Sequence, residues 1–195
     1  NRTRDLTPSA STADRQGRLD PAASLQGGGA GRFLDFITGE LRQSVEAQLP
    51  DGMRILRRTL IGHSFGGLFT VNAVLTQPHA FDDFIAADPS FWWDQRRLIQ
   101  KAAADGLGDK AATGPGRRLY LGFATKPRKD RTASADRPAA GARLSADPLV
   151  SDFIGKIQSQ GMQVRRKDFP DEVHGTVMFP ALFDALKHFY TRELS

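Results

Sequence analysis

The 195-residue chain contains no cysteine. Disulfide bonds and thiolate metal sites are therefore excluded, although this absence assigns no compartment, since periplasmic proteins often lack cysteine too. The sequence also lacks an apolar run that approaches the roughly 20 residues of a membrane-spanning helix, so we expect no membrane span. Nothing near the first residue resembles a secretory signal, because Asn1 opens a polar stretch.

Acidic residues are fewer than basic ones: 22 Asp and Glu stand against 27 Lys and Arg, which gives a formal net charge of +5. Such a balance favours anionic partners, and a solvated basic surface without a partner is the alternative. No nucleic-acid recognition motif accompanies the basic residues, so we expect no nucleic-acid partner. Hydrophobic residues make up 39% of the chain, which is enough for one compact domain and too little for two.

Two long segments lack the periodicity of helices and strands. Residues 1–30 are polar, and residues 125–146 are rich in arginine, lysine, alanine and proline. We predict that both are irregular loops, the second of them basic. Elsewhere, short apolar strands alternate with amphipathic helices, which is typical of a parallel sheet covered on both faces. The predicted strands are 57–61, 84–87, 118–124 and 164–169, and the predicted helices are 31–48, 68–75, one within 95–117, one from Asp147-Pro148 to Gly161, and 177–192 with Leu182, Phe183, Leu186 and Tyr190 inward.

A serine flanked by glycines follows the first predicted strand. Gly62-His63-Ser64-Phe65-Gly66 matches G-x-S-x-G, the nucleophile elbow, in which the serine lies on a sharp strand-to-helix turn. We expect both flanking positions to be small because side chains would collide in so tight a turn. The pattern alone is weak, but a predicted strand precedes it and a predicted helix follows it. We predict that Ser64 is a nucleophile and that the N–H of Phe65 faces an oxyanion; a structural turn serine is the alternative.

A serine nucleophile needs a base, and the chain has four histidines. His174 lies in a short loop between the last predicted strand and the last predicted helix, where an α/β-hydrolase places its base. We expect the side chain of His63 to point away from the active face and to be either structural or a support for the catalytic residues. His79 is expected at the surface and His188 half-buried in the last helix. The sequence therefore predicts His174 as the base, with a plain loop histidine as the alternative.

The third catalytic position has no clear occupant in the sequence. The acid of an α/β-hydrolase should follow the third strand of this chain, yet the first carboxylates after that strand are Asp130 and Asp136. Either is a possible third member, whereas Asp147 is better explained as a helix cap. We favour a Ser–His dyad without a carboxylate, its imidazole oriented by a backbone carbonyl or water. This chemistry needs no metal or organic cofactor.

Three stretches of the chain carry a family resemblance: Gly62 to Phe69, Ala87 to Trp93, and Phe169-Pro170 followed by His174-Gly175. Together they resemble the putative-esterase family of α/β-hydrolases, and within it the siderophore esterases that cut the triester of enterobactin and salmochelin. Residues 1–8 and 27–41 resemble the same branch. The resemblance implies Ser64 and His174 as catalytic residues, and some members of the branch manage with a dyad. At Asp88, relatives often carry serine.

The resemblance also implies a fold, a three-layer α/β-hydrolase sandwich with a mostly parallel sheet. Family members begin with several more strands, one of which precedes the loop that supplies a second oxyanion N–H. We therefore expect residues 1–195 to be the C-terminal catalytic portion of a single domain. About a hundred residues or more would precede Asn1, in the same chain or as a separate one. Without them the nucleophile strand would be an open sheet edge.

The resemblance implies an anionic small-molecule ester as substrate, a ferric catecholate siderophore. A basic cluster follows the third predicted strand beside the predicted site, where it could hold the anion; a solvated loop is the alternative. Trp92 and Trp93 are candidates for the wall of the substrate pocket, with core packing as the alternative for each. The basic cluster comprises Lys126, Arg128, Lys129 and Arg131.

Three other functions stay open at this point. The first is hydrolysis of other acyl esters or of a glutathione thioester, the second is acyl transfer to a sugar, and the third is a noncatalytic binding module on the same fold. Siderophore esterases occur in the periplasm and in the cytoplasm. We expect a periplasmic protein, with the cytoplasm as the alternative.

Overall fold

A computed structural model describes residues 1–12, 20, 26–107, 116–126 and 140–191. Helices and strands alternate through most of this chain, and a π-helical stretch, Ile37–Leu41, joins the second helix to the third. In chain order the elements are α1 (Arg2–Leu6), β1 (Ala10–Ser11), β2 (Gln26–Gly27), α2 (Ala30–Phe36), α3 (Arg42–Glu46), β3 (Thr59–His63), α4 (Phe65–Thr76), β4 (Asp83–Ala87), α5 (Trp93–Asp105), β5 (Arg118–Ala124), α6 (Ala140–Ser145), α7 (Pro148–Ser159), β6 (Gln163–Phe169) and α8 (Met178–Tyr190).

The central sheet has four parallel strands in the order β3-β4-β5-β6. The carboxyl ends of neighbouring strands are in register, because His63 pairs with Ala87 and Ala87 pairs with Gly122. Residues that directly follow these strands therefore lie close together at one edge of the sheet. This edge is where open α/β sheets bind their ligands.

Successive residues of a strand point to opposite faces of the sheet, and apolar side chains pack against both faces of the central strands β4 and β5. On one face, Phe84 and Leu119 belong to a buried cluster with side chains of α2, α4, α5 and α7. On the other face, Ile85 and Tyr120 pack with α8. The chain thus has the three-layer α/β-hydrolase architecture that the resemblance implies.

The predicted core elements are confirmed, with shifts of a few residues at their ends. Strands 84–87, 118–124 and 164–169 are β4, β5 and β6 to within one residue. The strand predicted over 57–61 begins and ends two residues later, as β3. Asp147 caps α7 as expected, since its side chain accepts a hydrogen bond from the N–H of Leu149.

The prediction of two irregular loops is wrong in part. Within 1–30 the chain forms α1, whose N-terminus is capped by the side chain of Asn1, and a short antiparallel ladder between β1 and β2. Within 125–146 it forms α6. Elements of two to six residues are too short to show an apolar periodicity, which is why the sequence did not reveal them. Residues 127–139 of the predicted basic loop lie outside the described residues.

The face that α8 turns toward the sheet is predicted correctly in part: Leu182, Leu186 and Tyr190 are partly buried and pack against the cluster on this side of the sheet. The buried residues of α8 are Ala181, Ala185 and Phe189, whereas Phe183, predicted to face inward, is 61% exposed. A Cβ added to Gly122 of β5 would lie 2.9 Å from the Cβ of Ala181. The helix therefore lies so close to the sheet that small side chains, not large ones, fit between them.

The nucleophile strand β3 is an edge strand within the described sheet. Ile61 of β3 is 42% exposed, although parallel strands are ordinarily covered on both faces. In the described part of the chain, no helix combines the length and apolar character needed to cross a bilayer.

Candidate active site

Ser64 lies at the turn between β3 and α4. Its φ of 61° and ψ of −118° depart from both helix and strand geometry, and its N–H donates to the carbonyl of Ala87 at 3.1 Å. A Cβ added to Gly62 would lie 2.0 Å from the backbone oxygen of Gly66, so this position excludes a side chain. A Cβ added to Gly66 would meet nothing within 4 Å. The expectation of steric collision at both flanking positions is therefore wrong at Gly66.

His174 meets Ser64 at the carboxyl edge of the sheet. The Nε2 atom of His174 lies 3.1 Å from the Oγ of Ser64, which is hydrogen-bonding distance. The loop that carries His174 follows β6 and extends over the end of β5, where the N–H of Lys126 donates to the carbonyl of Glu172 at 3.1 Å. Because the imidazole is partly exposed, a substrate can approach it from solvent.

Asp88 occupies the third position beside the imidazole. Its Oδ2 lies 2.6 Å from the Nδ1 of His174. The residue directly follows β4, is buried and has a positive φ of 41°. Two bonds to the neighbouring strand fix it: its N–H donates to the carbonyl of Gly122 at 2.7 Å, and its Oδ1 accepts from the N–H of Ala124 at 3.3 Å. The carboxylate is thus held rigidly against the ring nitrogen.

The favoured dyad without a carboxylate is therefore wrong as a description of this site. The possible third members proposed from the sequence, Asp130 and Asp136, lie outside the described residues. A usable signal was present at Asp88. Since parallel neighbours end side by side, the residue after β4 lies one strand spacing from the residue after β3, and a carboxylate there is within reach of the same imidazole.

Two more side chains surround the Ser64–His174 pair. The Oγ of Ser90 lies 3.2 Å from the Oγ of Ser64. The Nε2 of His63 lies 2.7 Å from the backbone oxygen of His174, so His63 contacts the loop of the base, contrary to the prediction that it points away. Burial and the neighbouring His174 lower the pKa of His63, against weaker opposing effects of this hydrogen bond and of Asp88.

The backbone N–H of Phe65 is the first of α4. The first N–H groups of a helix have no intrahelical acceptor, and the helix dipole favours negative charge at this end. The sequence prediction that this N–H faces an oxyanion is compatible with that position and stays a prediction.

Aromatic rings border the nucleophile on the α4 side. The ring centroid of Phe65 lies 5.6 Å from that of Trp92 and 5.3 Å from that of Trp93. Trp93 is buried and its indole N–H donates to the carbonyl of Ser9 at 2.9 Å, which is core packing. Trp92 is half-buried. The guanidinium carbon of Arg2 lies 5.5 Å from the centroid of the Phe65 ring, a cation that the sequence analysis did not single out.

One member of the predicted basic cluster falls in the described part of the chain. Lys126 is exposed and lies two residues beyond the end of β5. Arg128, Lys129 and Arg131 lie outside the described residues. Where the structure describes the chain, no group of three or more histidine or carboxylate side chains could hold a metal ion.

Comparison with known families matches residues 8–145 to the family described as Putative esterase. The chain belongs to the Putative esterase family. The resemblance drawn from the sequence motifs is thereby confirmed, and the matched segment includes Ser64 and Asp88.

Several relatives of this chain carry siderophore names. The siderophore enterobactin esterase of Emericella nidulans is 32% identical over 164 residues, which cover 80% of this chain and 54% of the relative. The ferri-bacillibactin esterase BesA of Bacillus subtilis is 34% identical over 100 residues, which cover 51% of this chain and 34% of the relative. This chain thus spans about half of the first relative and less of the second.

A solved structure supports the same relationship. Siderophore hydrolase EstA from Aspergillus nidulans superposes with a TM-score of 0.74 at 29% sequence identity, covering 96% of this chain and 65% of that chain. The fold of nearly all of this chain is therefore shared with that protein.

Proposed function

We propose that this protein is a serine esterase that hydrolyses carboxylic esters through an acyl-enzyme on Ser64. The observation that carries the proposal is the continuous hydrogen-bonded series from Ser64 through His174 to Asp88. This is the arrangement in which an imidazole activates a hydroxyl and a carboxylate orients the imidazole. Membership of the Putative esterase family supports the same reaction type.

The first half of the reaction forms the acyl-enzyme. The Nε2 of His174 takes the proton from the Oγ of Ser64 while that oxygen attacks the ester carbonyl carbon. Nε2 must be unprotonated to accept it, so Nδ1 carries a proton and donates it to Asp88. The carbonyl oxygen becomes negative in the tetrahedral intermediate and accepts from the N–H of Phe65. The bond to the leaving oxygen then breaks, and the alcohol takes the proton from His174.

The second half repeats these steps with water as the nucleophile. His174 removes a proton from water, the resulting hydroxide attacks the acyl carbon, and Ser64 leaves with the proton that His174 returns. Ser90 adds one constraint. Since the hydroxyl proton of Ser64 must point at His174 before attack, the hydroxyl of Ser90 donates to the Oγ of Ser64 and holds that orientation.

We propose further that the ester belongs to a catecholate siderophore such as enterobactin. A ferric catecholate combines aromatic rings with negative charge. Phe65 and Trp92 offer an aromatic surface for the rings, and Arg2 and Lys126 offer positive charge for the anion. The names of the enterobactin and bacillibactin esterases among its relatives support this substrate class.

A fluorophosphonate probe tests the reaction type, because it bonds covalently to serine only when the hydroxyl is activated. We expect the wild-type protein to be labelled and Ser64→Ala to be unlabelled. Ser44→Ala, a change at an exposed serine of α3, is the matched control and should be labelled like wild type. An unlabelled wild-type protein would support the noncatalytic binding module instead.

Relative rates on two esters test the substrate class. We expect kcat/KM for ferric enterobactin to exceed that for p-nitrophenyl butyrate, with hydrolysed product formed whether or not a sugar acceptor is present. A preference for the simple ester would assign another ester class. Acylated sugar as the main product would assign acyl transfer.

A further inference from the structure

The last residue of the nucleophile strand reaches the backbone of the base. His63 ends β3 directly before Ser64, and its Nε2 lies 2.7 Å from the carbonyl oxygen of His174, a residue 111 positions further along the chain. A carbonyl oxygen can only accept a hydrogen bond. The Nε2 of His63 must therefore carry a proton and donate it.

This bond fixes the base at its backbone, whereas the other bonds of His174 fix its ring. The Nδ1 contact with Asp88 and the Nε2 contact with Ser64 orient the imidazole. Neither of these two contacts bonds the backbone of His174, and the bond between Lys126 and Glu172 ties the same loop to the end of β5 and not to the nucleophile strand. A donor attached to the strand that carries the nucleophile sets the distance from Ser64 to the loop of the base.

The charge of His63 suits this role. Its pKa is lowered, first by burial and then by the neighbouring His174, whose ring centroid lies 4.6 Å away. A neutral His63 adds no second positive charge beside His174 when His174 accepts the proton of Ser64. Because its Nε2 already donates to a carbonyl, His63 also does not compete as a base at that atom.

We propose that His63 is a positioning residue, which holds the loop of the base at its working distance from Ser64 through an Nε2–H bond to the His174 carbonyl. The inference rests on the proposed function, in which His174 removes the proton of Ser64. It assigns to His63 no contact with substrate and no proton transfer.

Two replacements of His63 separate positioning from general folding. His63→Leu keeps an apolar side chain and removes the donor. His63→Gln keeps an N–H at a reach similar to that of Nε2. We expect His63→Leu to lower kcat and the rate of fluorophosphonate labelling by about 10²-fold, the effect of misplacing a catalytic group by about 1 Å, with KM within about twofold. His63→Gln should recover most of the loss. His79→Leu, a change at an exposed histidine, should match wild type.

A proton resonance gives a second readout that needs no turnover. An imidazole N–H that donates to a carboxylate at 2.6 Å, as Nδ1 of His174 does to Asp88, resonates far downfield. We expect this signal in wild type and His63→Gln, and its loss or broadening in His63→Leu. A cooperative urea unfolding transition of His63→Leu, measured separately, should show that this variant is folded. A His63→Leu protein that keeps both the signal and the wild-type labelling rate would overturn the inference. Wild type that shows the signal but takes no label would overturn the proposed function alone.

Discussion

At the scale of single residues, Asp88 has the most constrained carboxylate beside the reacting groups. Its backbone and one oxygen are tied to β5, and its other oxygen faces the imidazole of His174. The left-handed backbone at this residue costs about 1 kcal/mol for a side chain other than glycine. Asp88 adopts this unfavourable conformation where its carboxylate bonds His174. This supports a role for Asp88 in orienting His174.

The first prediction follows from this geometry. Asp88→Asn should lower kcat on the order of 10³–10⁴-fold, because an amide can donate to Nδ1 and so leave the proton of His174 on Nε2, which then cannot accept from Ser64. The measurement is steady-state hydrolysis with the rate of fluorophosphonate labelling beside it. Asp152→Asn, at an exposed residue of α7, should keep the wild-type values. A kcat within tenfold of wild type in Asp88→Asn would leave a working Ser–His dyad as the better account.

The residues of the site were unequally predictable from the sequence. Local sequence patterns predict Ser64 and His174. Ser64 is indicated by its flanking glycines, and His174 by its place between the last strand and the last helix. Asp88 was missed because its partner in space lies across the sheet. Locating it requires the register of β3 against β4, which no local pattern states. The acceptor of His63 could not be named for the same reason, since it belongs to a loop after the fourth strand of the sheet.

At the scale of secondary-structure elements, the positions of the strands were predicted from the sequence more accurately than the buried faces of the helices. The two central strands, β4 and β5, were found because buried parallel strands are short apolar runs. On α8, Leu182, Leu186 and Tyr190 pack against the core as predicted, whereas Phe183 is exposed. The fully buried positions of this helix are taken mainly by small residues, Ala181 and Ala185, which its apolar pattern did not indicate. Helix faces therefore depend on the local distance to the sheet, which Gly122 sets here and which residue hydrophobicity does not encode.

A buried ionic cluster joins four segments at the other end of the sheet. Asp83, the fully buried first residue of β4, accepts hydrogen bonds from Arg57 before β3, Arg118 of β5 and Tyr190 of α8. Burial alone would raise the pKa of Asp83, but these three donors outweigh it and lower the pKa to about 2. The cluster therefore favours the charged carboxylate in the folded protein.

The second prediction concerns the pH dependence of this cluster. Because the folded pKa of Asp83, about 2, lies below its ordinary value of 3.8, the folded state binds the proton less tightly than the unfolded state. The stabilisation is fully present above the ordinary value and is lost as the pH falls toward 2. It amounts to about 2 kcal/mol.

Urea unfolding at several pH values measures the effect. At pH 7 we expect Asp83→Asn to unfold with a free energy about 3 kcal/mol lower than wild type, since it removes the buried negative charge that faces Arg57 and Arg118. The difference should narrow by about 2 kcal/mol as the pH falls through the range below 4. Asp51→Asn, at an exposed turn residue, should show no such trend. A difference that stays constant with pH would mean that folding does not lower the pKa of Asp83.

At the scale of the whole molecule, large exposed apolar side chains lie in the segment before β3, on β3 itself and on α8. They include Leu56, Ile61 and Phe179. Thr59 of β3 lies 2.8 Å from the hydroxyl of Tyr190 on α8, so α8 packs beside this strand. An adjoining strand would cover such a surface, and the expected N-terminal strands stay a prediction.

The net charge of +5 gives the last prediction, that the protein attracts an anionic ester over a distance. Positive charge around a site raises the association rate of an anion, and salt removes the effect as the Debye length falls from about 30 Å at 0.01 M to about 8 Å at 0.15 M. Over this range we expect kcat/KM for ferric enterobactin to fall several-fold. The value for neutral p-nitrophenyl butyrate should stay constant.

Two lysine replacements that change the net charge equally separate local from global attraction. Lys126→Gln removes a charge just beyond β5 at the carboxyl edge of the sheet, and Lys187→Gln removes one from the last turn of α8, at the far end of that helix from the His174 loop. Lys126→Gln should lower kcat/KM for ferric enterobactin at low salt and flatten its salt dependence, whereas Lys187→Gln should change both less. Equal effects of the two lysine replacements would assign the attraction to net charge alone. Hydrolysis of ferric enterobactin by wild type that does not depend on salt would contradict electrostatic steering altogether.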